Sequence, residues 1–184
     1  MSGIGKKSRK GNVALKLDML KAYDRVSWFF TDKVLHKFGF EEHFIYMVWR
    51  LVSNVCFSIL IDGASYGFFK LIKGIRQGDP LSLALFVIGA EVLSRSLNSL
   101  NSHFGFVGFR VPRGCPPMTH LAFADNVLIF ANGSSFSLKN IMQVMMLYQK
   151  SFGRLVNTQK CGYLVQPSTS PTHRMVIERL TGFS

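Results

Sequence analysis

Residues 120–130 read HLAFADNVLIF, in which two β-rich segments, 119–124 and 127–131, are separated only by Asp125 and Asn126. Branched and aromatic residues on both sides of so short an interruption predict a tight hairpin with Asp125 at its tip. Taken alone, the Asp-Asn pair reads equally well as turn chemistry, since Asn tolerates positive φ and Asp favours turns.

Working outward, VALKL at 13–17 is rich in branched residues and suits a strand that delivers Asp18 at its C-terminal end. Asp18 is therefore expected at a strand edge, where by itself it is as readily an exposed residue closing the strand. Two strand-end carboxylates on adjacent strands would make an oxygen-rich site for a hard divalent cation, the chemistry used in phosphoryl transfer.

The elements in between follow from local signals. Ser27 is a helix cap ahead of Trp28, Leu35 and Phe38 at helical spacing, with Gly39 as terminator. Phe44, Met47, Val48 and Leu51 repeat the spacing in a second helix. Segments 56–61 and 66–72, joined through Asp62-Gly63, predict a hairpin. Asp79-Pro80 predicts the start of a helix reaching about Asn98, apolar on most faces and hence buried. A further strand is expected at 104–111, a loop at 112–117, a helix at 134–152 with Ile141, Met145 and Tyr148 inward, and a strand near 162–166. Strands and helices so interleaved, with several hairpins, give an α+β fold around a mainly antiparallel sheet.

The 184 residues fit one domain, and 48% hydrophobic residues suffice for a core. The chain divides into a basic N-terminal segment at 1–11, a core at 12–166, and a C-terminal loop and short helix at 167–184. Lys and Arg number 22 against 10 acidic residues, a net charge of +12 that favours a polyanionic partner. Cys56, Cys115 and Cys161 show no CxxC pairing, which argues against a disulfide framework or a zinc site. The KKSRK cluster at 6–10 is a nucleic-acid or nuclear patch or a solvated terminus. No apolar stretch follows it as in a secretory signal, and the apolar window 81–93 is too short to span a bilayer, so no membrane partner is expected.

Four segments taken in order, KLDMLKAYDRVSW at 16–28, RQGDPLS at 76–82, FADN at 123–126 and LVNTQK at 155–160, resemble the motifs of reverse transcriptases from plant-type non-LTR (LINE-type) retrotransposons. The resemblance implies a polymerase palm in which Asp18 and Asp125 hold catalytic Mg²⁺ or Mn²⁺. It further implies that Tyr23 packs under the incoming sugar and excludes a 2′-hydroxyl, and that Gln77 and Gly78 lie against nucleotide and template. Arg76 would contact phosphate or template, and Lys160 would stand near the leaving phosphate as general acid. The implied partners are an RNA template, a DNA primer and deoxynucleoside triphosphates, in the nucleus or cytoplasm. Without the family context, Tyr23 is a core tyrosine and Lys160 a solvated lysine.

The sequence departs from the family at Asn126, where the second of the paired aspartates belongs. An amide oxygen still ligates a cation but brings no formal charge, so metal affinity and rate are expected to fall. Leu83 replaces a proline and Arg154 a common glutamine. With only about seventeen residues before Asp18, and few after Lys160, the expectation is a palm with incomplete fingers, no thumb and impaired activity. The alternative is a non-catalytic remnant that binds nucleic acid.

Overall fold

Val13, Leu15, Leu17 and Met19 are all buried, none more than 2% exposed, while Lys16 and Leu20 at alternate positions are exposed. Period-two burial is what a strand with one face on a core produces. In this computed structural model, which describes residues 11–21 and 23–183, the strand is β1 (Asn12–Leu20). It is followed by α1 (Trp28–Lys37), α2 (Glu42–Ser53), β2 (Cys56–Ile61), β3 (Ala64–Lys70) and α3 (Pro80–Ser99), the last ending in a 3₁₀ turn, Leu100–Ser102. Then come β4 (His120–Phe123), β5 (Asn126–Asn132), α4 (Ser135–Phe152), β6 (Leu155–Val156), β7 (Gly162–Val165) and α5 (Pro171–Thr181). The basic cluster at 6–10 lies outside the described residues.

The chain falls into two compact units. One holds the described residues up to Leu20, Leu93–Gln149, and those from Leu155 onward; the other holds Lys21–Val92 and Lys150–Arg154.

In the first unit β5 pairs antiparallel with β1, so that Val13 faces Ala131, Leu15 faces Ile129 and Leu17 faces Val127. These six share the buried face; the opposite face carries Lys16 against Leu128 and Asp18 against Asn126. β4 pairs with β5, and the far side of β1 is shared: β7 takes residues 13–16 and β6 takes Met19 and Leu20. This pairing carries β1 beyond VALKL, so Asp18 lies within the strand and not at its edge as expected. α4 turns Leu138, Ile141 and Met145 inward, and α5 turns in Ile177, all essentially inaccessible. Each such side chain contributes roughly 1.5–3 kcal/mol of burial.

The strand expected at 104–111 does not form; only Gly108 bridges to Ala131. Side chains replace the ladder there. The Ser137 hydroxyl accepts from Val107 N–H at 3.0 Å and donates to its carbonyl at 3.1 Å, and the Asn12 amide brackets both backbone groups of Arg110 at 2.9 Å. Asn132 N–H of β5 still reaches the Val107 carbonyl at 3.2 Å, but the side-chain bonds at Val107 and Arg110 stand where a continuous ladder would run.

In the second unit the Ser27 hydroxyl accepts from Phe30 N–H, capping α1 as expected, and β2 and β3 form the hairpin about Asp62-Gly63. The inward stripe of α2 is offset by one residue from expectation. Ile45 and Val48 are buried, while Met47 and Leu51 face solvent, because a helix apolar on most sides lets packing choose the face. His36 joins the two helices: its Nδ1 lies 2.8 Å from the Asp32 carbonyl and its Nε2 lies 2.9 Å from Glu42 Oε1. The Asp32 carbonyl, helped by Glu42, raises the His36 pKa above 6.5. The stabilisation is therefore complete below pH 6.5 and lost as pH rises through the higher folded-state value. A small fall in thermal midpoint between pH 6 and pH 8, absent in His36→Gln, is the expected result.

Asp79 Oδ1 accepts from Leu81 N–H at 2.9 Å and so starts α3. Only part of that helix is buried: Leu85, Phe86, Leu93 and Leu97 are covered, whereas Leu83 and Val87 stay more than half exposed. By length and composition alone the helical stretch Pro80–Ser102, longer than the apolar window read from sequence, is able to cross a membrane. A long helix with one buried apolar face is equally the core helix of a globular fold.

Candidate active site

Asp18 is fixed through both its backbone groups. Its carbonyl accepts from Asn157 N–H at 2.8 Å, and its N–H points at Cys161 Sγ at 3.4 Å, a thiol acting as acceptor where β1 has passed beyond β7. Burial pushes the Cys161 pKa up, so the sulfur stays a thiol at neutral pH. The turn supplying both contacts is closed by Lys160 and Cys161 N–H groups donating to the Asn157 carbonyl at 3.0 and 3.1 Å. Lys160 thus rides on a turn anchored to Asp18, with its own side chain exposed.

On the other side, Met19 N–H donates to the Asp125 carbonyl at 2.9 Å. Asp18 and Asn126 are then a non-hydrogen-bonded cross-strand pair, the kind whose side chains lie closest on one face. The register sets Asp18 opposite Asn126 on the solvent face at one end of the sheet, with Asp125 next to Asn126 in the turn. Within the group, Asn126 Nδ2 donates to Asp125 Oδ1 at 2.9 Å, so the amide occupies a carboxylate oxygen. Among the described residues no three His, Cys, Asp or Glu side chains gather into a metal-holding group. Two carboxylates and an amide oxygen still fit a hard divalent ion that takes its remaining ligands from water and substrate phosphates.

The hairpin turns one residue earlier than the sequence implies. Phe123 pairs with Asn126, which leaves Ala124 and Asp125 as the turn, and Ala124 is the residue with positive φ, +52°. Asn126 is held in β5 by its pairing with Asp18 and has no turn role. Ala124→Gly is expected to raise stability by up to about 1 kcal/mol, read as a higher thermal midpoint, because the left-handed region costs an L-residue about that much.

The second unit carries Tyr23, Arg76, Gln77 and Gly78. Arg76, Gln77 and Gly78 are exposed just ahead of α3, and Gly78 has a left-handed φ of +86°. Tyr23 is half-buried, its ring stacked on Phe86 at 4.8 Å and 13°, and its carbonyl accepts from Ile75 N–H at 3.0 Å. From sequence alone Arg154 reads as a tolerable departure. In the fold it is 1% exposed, with its guanidinium carbon 4.7 Å from the Phe86 ring centroid, and its Nε and Nη2 have no partner. Such burial costs several kcal/mol, against about 2 kcal/mol returned by a desolvated cation–ring contact. A basic residue directly behind a helix-ending glycine and ahead of a β-rich pair, FGRLV, is the only signal the sequence offers.

A five-stranded antiparallel sheet with its two acidic motifs on neighbouring strands, flanked by helices, is the palm of a nucleic-acid polymerase. The chain aligns with telomerase from Candida tropicalis in complex with a fragment of telomeric RNA at a TM-score of 0.67, covering 90% of this chain and 28% of that one. At 15% identity that likeness speaks for the fold alone. The chain belongs to the reverse transcriptase (RNA-dependent DNA polymerase) family, whose model matches residues 2–173. It is of the kind carried by non-LTR elements: a Pol polyprotein of type-1 retrotransposable element R2 from Popillia japonica is 26% identical over 156 residues. A Pol polyprotein of a type-2 retrotransposable element from Drosophila melanogaster is 30% identical over 146 residues. The chain spans about a quarter of the first relative's length and 13% of the second's.

Proposed function

We propose that this chain is the palm of an RNA-directed DNA polymerase of a retroelement, adding deoxynucleotides to a primer 3′-hydroxyl with Asp18 and Asp125 as ligands of Mg²⁺ or Mn²⁺. The observation that carries the reading is the β1–β5 register, which sets Asp18 beside the Asp125-Asn126 tip on a solvent-facing end of the sheet. When bound, the ions would polarise the attacking hydroxyl and the transferring phosphate. The carboxylates' part is to hold charge at a fixed place, and the backbone bonds of Asp18 to Asn157 and Cys161 supply that fixity. Lys160, on the same turn, would give a proton to the leaving pyrophosphate oxygen. Tyr23 would exclude the 2′-hydroxyl, and Arg76, Gln77 and Gly78 would face nucleotide and template. The net charge of +12 suits an RNA template and DNA primer.

A second reading, a nucleic-acid-binding protein with little or no catalysis, is favoured by the hydrogen bond that the Asn126 amide donates to Asp125 Oδ1, which withdraws one oxygen from any cation. Primer extension on an RNA template with deoxynucleotides and Mn²⁺ separates the two, with Asp18→Ala as blank. Weak extension by the native chain and none by the blank supports catalysis. Folded protein that equals the blank, yet binds RNA with an affinity falling linearly in log salt, supports the binding protein.

A further inference from the structure

We infer that Arg154, acting through Phe86, is a positioning residue for Tyr23 and thereby sets the sugar selectivity of the nucleotide site. The inference rests on the reading of Tyr23 as the sugar filter.

A filter that works by exclusion must hold its ring still, and Tyr23 sits on a half-exposed loop. Its carbonyl is tied to Ile75, and its ring rests on Phe86. Phe86 is 5% exposed and has the Arg154 guanidinium 4.7 Å from its centroid, with Phe152 the next ring at 5.9 Å from the same cation. The guanidinium has no partner at Nε and Nη2, and Phe86 is the nearer of the two rings it faces. The cation is thereby pressed against the residue that carries the Tyr23 ring.

The backbone keeps this stack in place. Arg25 Nε donates to the Gly153 carbonyl at 2.9 Å, and Ser27 N–H donates to the Phe152 carbonyl at 2.9 Å. The segment bearing Arg154 is in this way bonded to the loop bearing Tyr23. A side chain serving stability alone would be apolar here, since exchange of a buried charge for a well-packed hydrophobe is often neutral or stabilising. Positioning and stability therefore separate in experiment.

The test is fluorine NMR of the whole chain labelled with fluorotyrosine, the Tyr23 signal being assigned among the five tyrosines by Tyr23→Phe. In Arg154→Met the Tyr23 signal is expected to shift and broaden while the other four hold and the thermal midpoint stays equal or rises; Arg154→Lys, which keeps the cation, is expected to preserve it. In an Asn126→Asp background, Arg154→Met should lower the preference for deoxy- over ribonucleotides by on the order of tenfold, as should Tyr23→Ala. A Tyr23 signal unmoved in Arg154→Met, although Phe86→Ala moves it, overturns the inference. If the ring moves but neither Arg154→Met nor Tyr23→Ala alters sugar preference, Tyr23 is not the filter, and the selectivity claim falls with the reading beneath it.

Discussion

Primer extension in Mn²⁺ is expected to rise by on the order of a hundredfold when Asn126 is replaced by Asp, the equivalent of about 2.7 kcal/mol. Two changes act together. The substitution adds a formal negative charge beside Asp18 and Asp125, and it removes the Nδ2 donor that holds Asp125 Oδ1 at 2.9 Å. A unit charge at 4 Å gains about 4 kcal/mol at an effective dielectric of 20, of which a part is lost to repulsion among three carboxylates. Without metal the same change should lower the thermal midpoint, since Asp125 exchanges a donor for a neighbour of like charge. Calorimetric titration with Mn²⁺ reads affinity directly. Equal Mn²⁺ affinity and equal extension in both proteins would sink the assignment of Asp125 and its neighbour to the metal site.

Gly153→Ala is expected to destabilise the chain by about 3 kcal/mol or more, measured by urea unfolding. Gly153 ends α4 with φ +86°, and a Cβ there would overlap the Arg25 carbonyl oxygen, where backbone has no room to yield. The control is Gly114→Ala, which has the same φ of +86° but nothing within 4 Å and should cost only about 1–2 kcal/mol. Similar losses at the two positions would mean that conformation alone, and not overlap with Arg25, makes Gly153 necessary.

Features written in neighbouring residues are legible in the sequence itself. Ser27 before an apolar helix, Asp79 before Pro80, and Asp62-Gly63 between two β-rich runs each decide a local geometry by their own hydrogen bonds or φ preference, and all three form as expected. The grouping of Asp18 with the 125–126 tip is legible through the order of motifs. The expectations that fail depend on partners far along the chain. β1 outruns its own β-rich residues because Leu155 and Val156 pair with its end, and the hairpin turn moves to Ala124 because Asn126 is claimed by Asp18. Residues 104–111 have strand-like composition, but the side chains of Asn12 and Ser137 bond the backbone of Arg110 and Val107, and only one bridge to β5 forms. Arg154 escapes notice because nothing in the residues beside it tells a buried guanidinium from a solvated one.

The positive φ on Ala124 has a bearing on heredity. Since the turn is made by Ala124 and Asp125, residue 126 is asked only to continue a strand on a solvent-facing side, a task asparagine and aspartate both perform. Their codons differ at a single base. A lineage can therefore cross between the two forms in one mutational step in either direction, and selection for a folded chain alone would scarcely register the crossing.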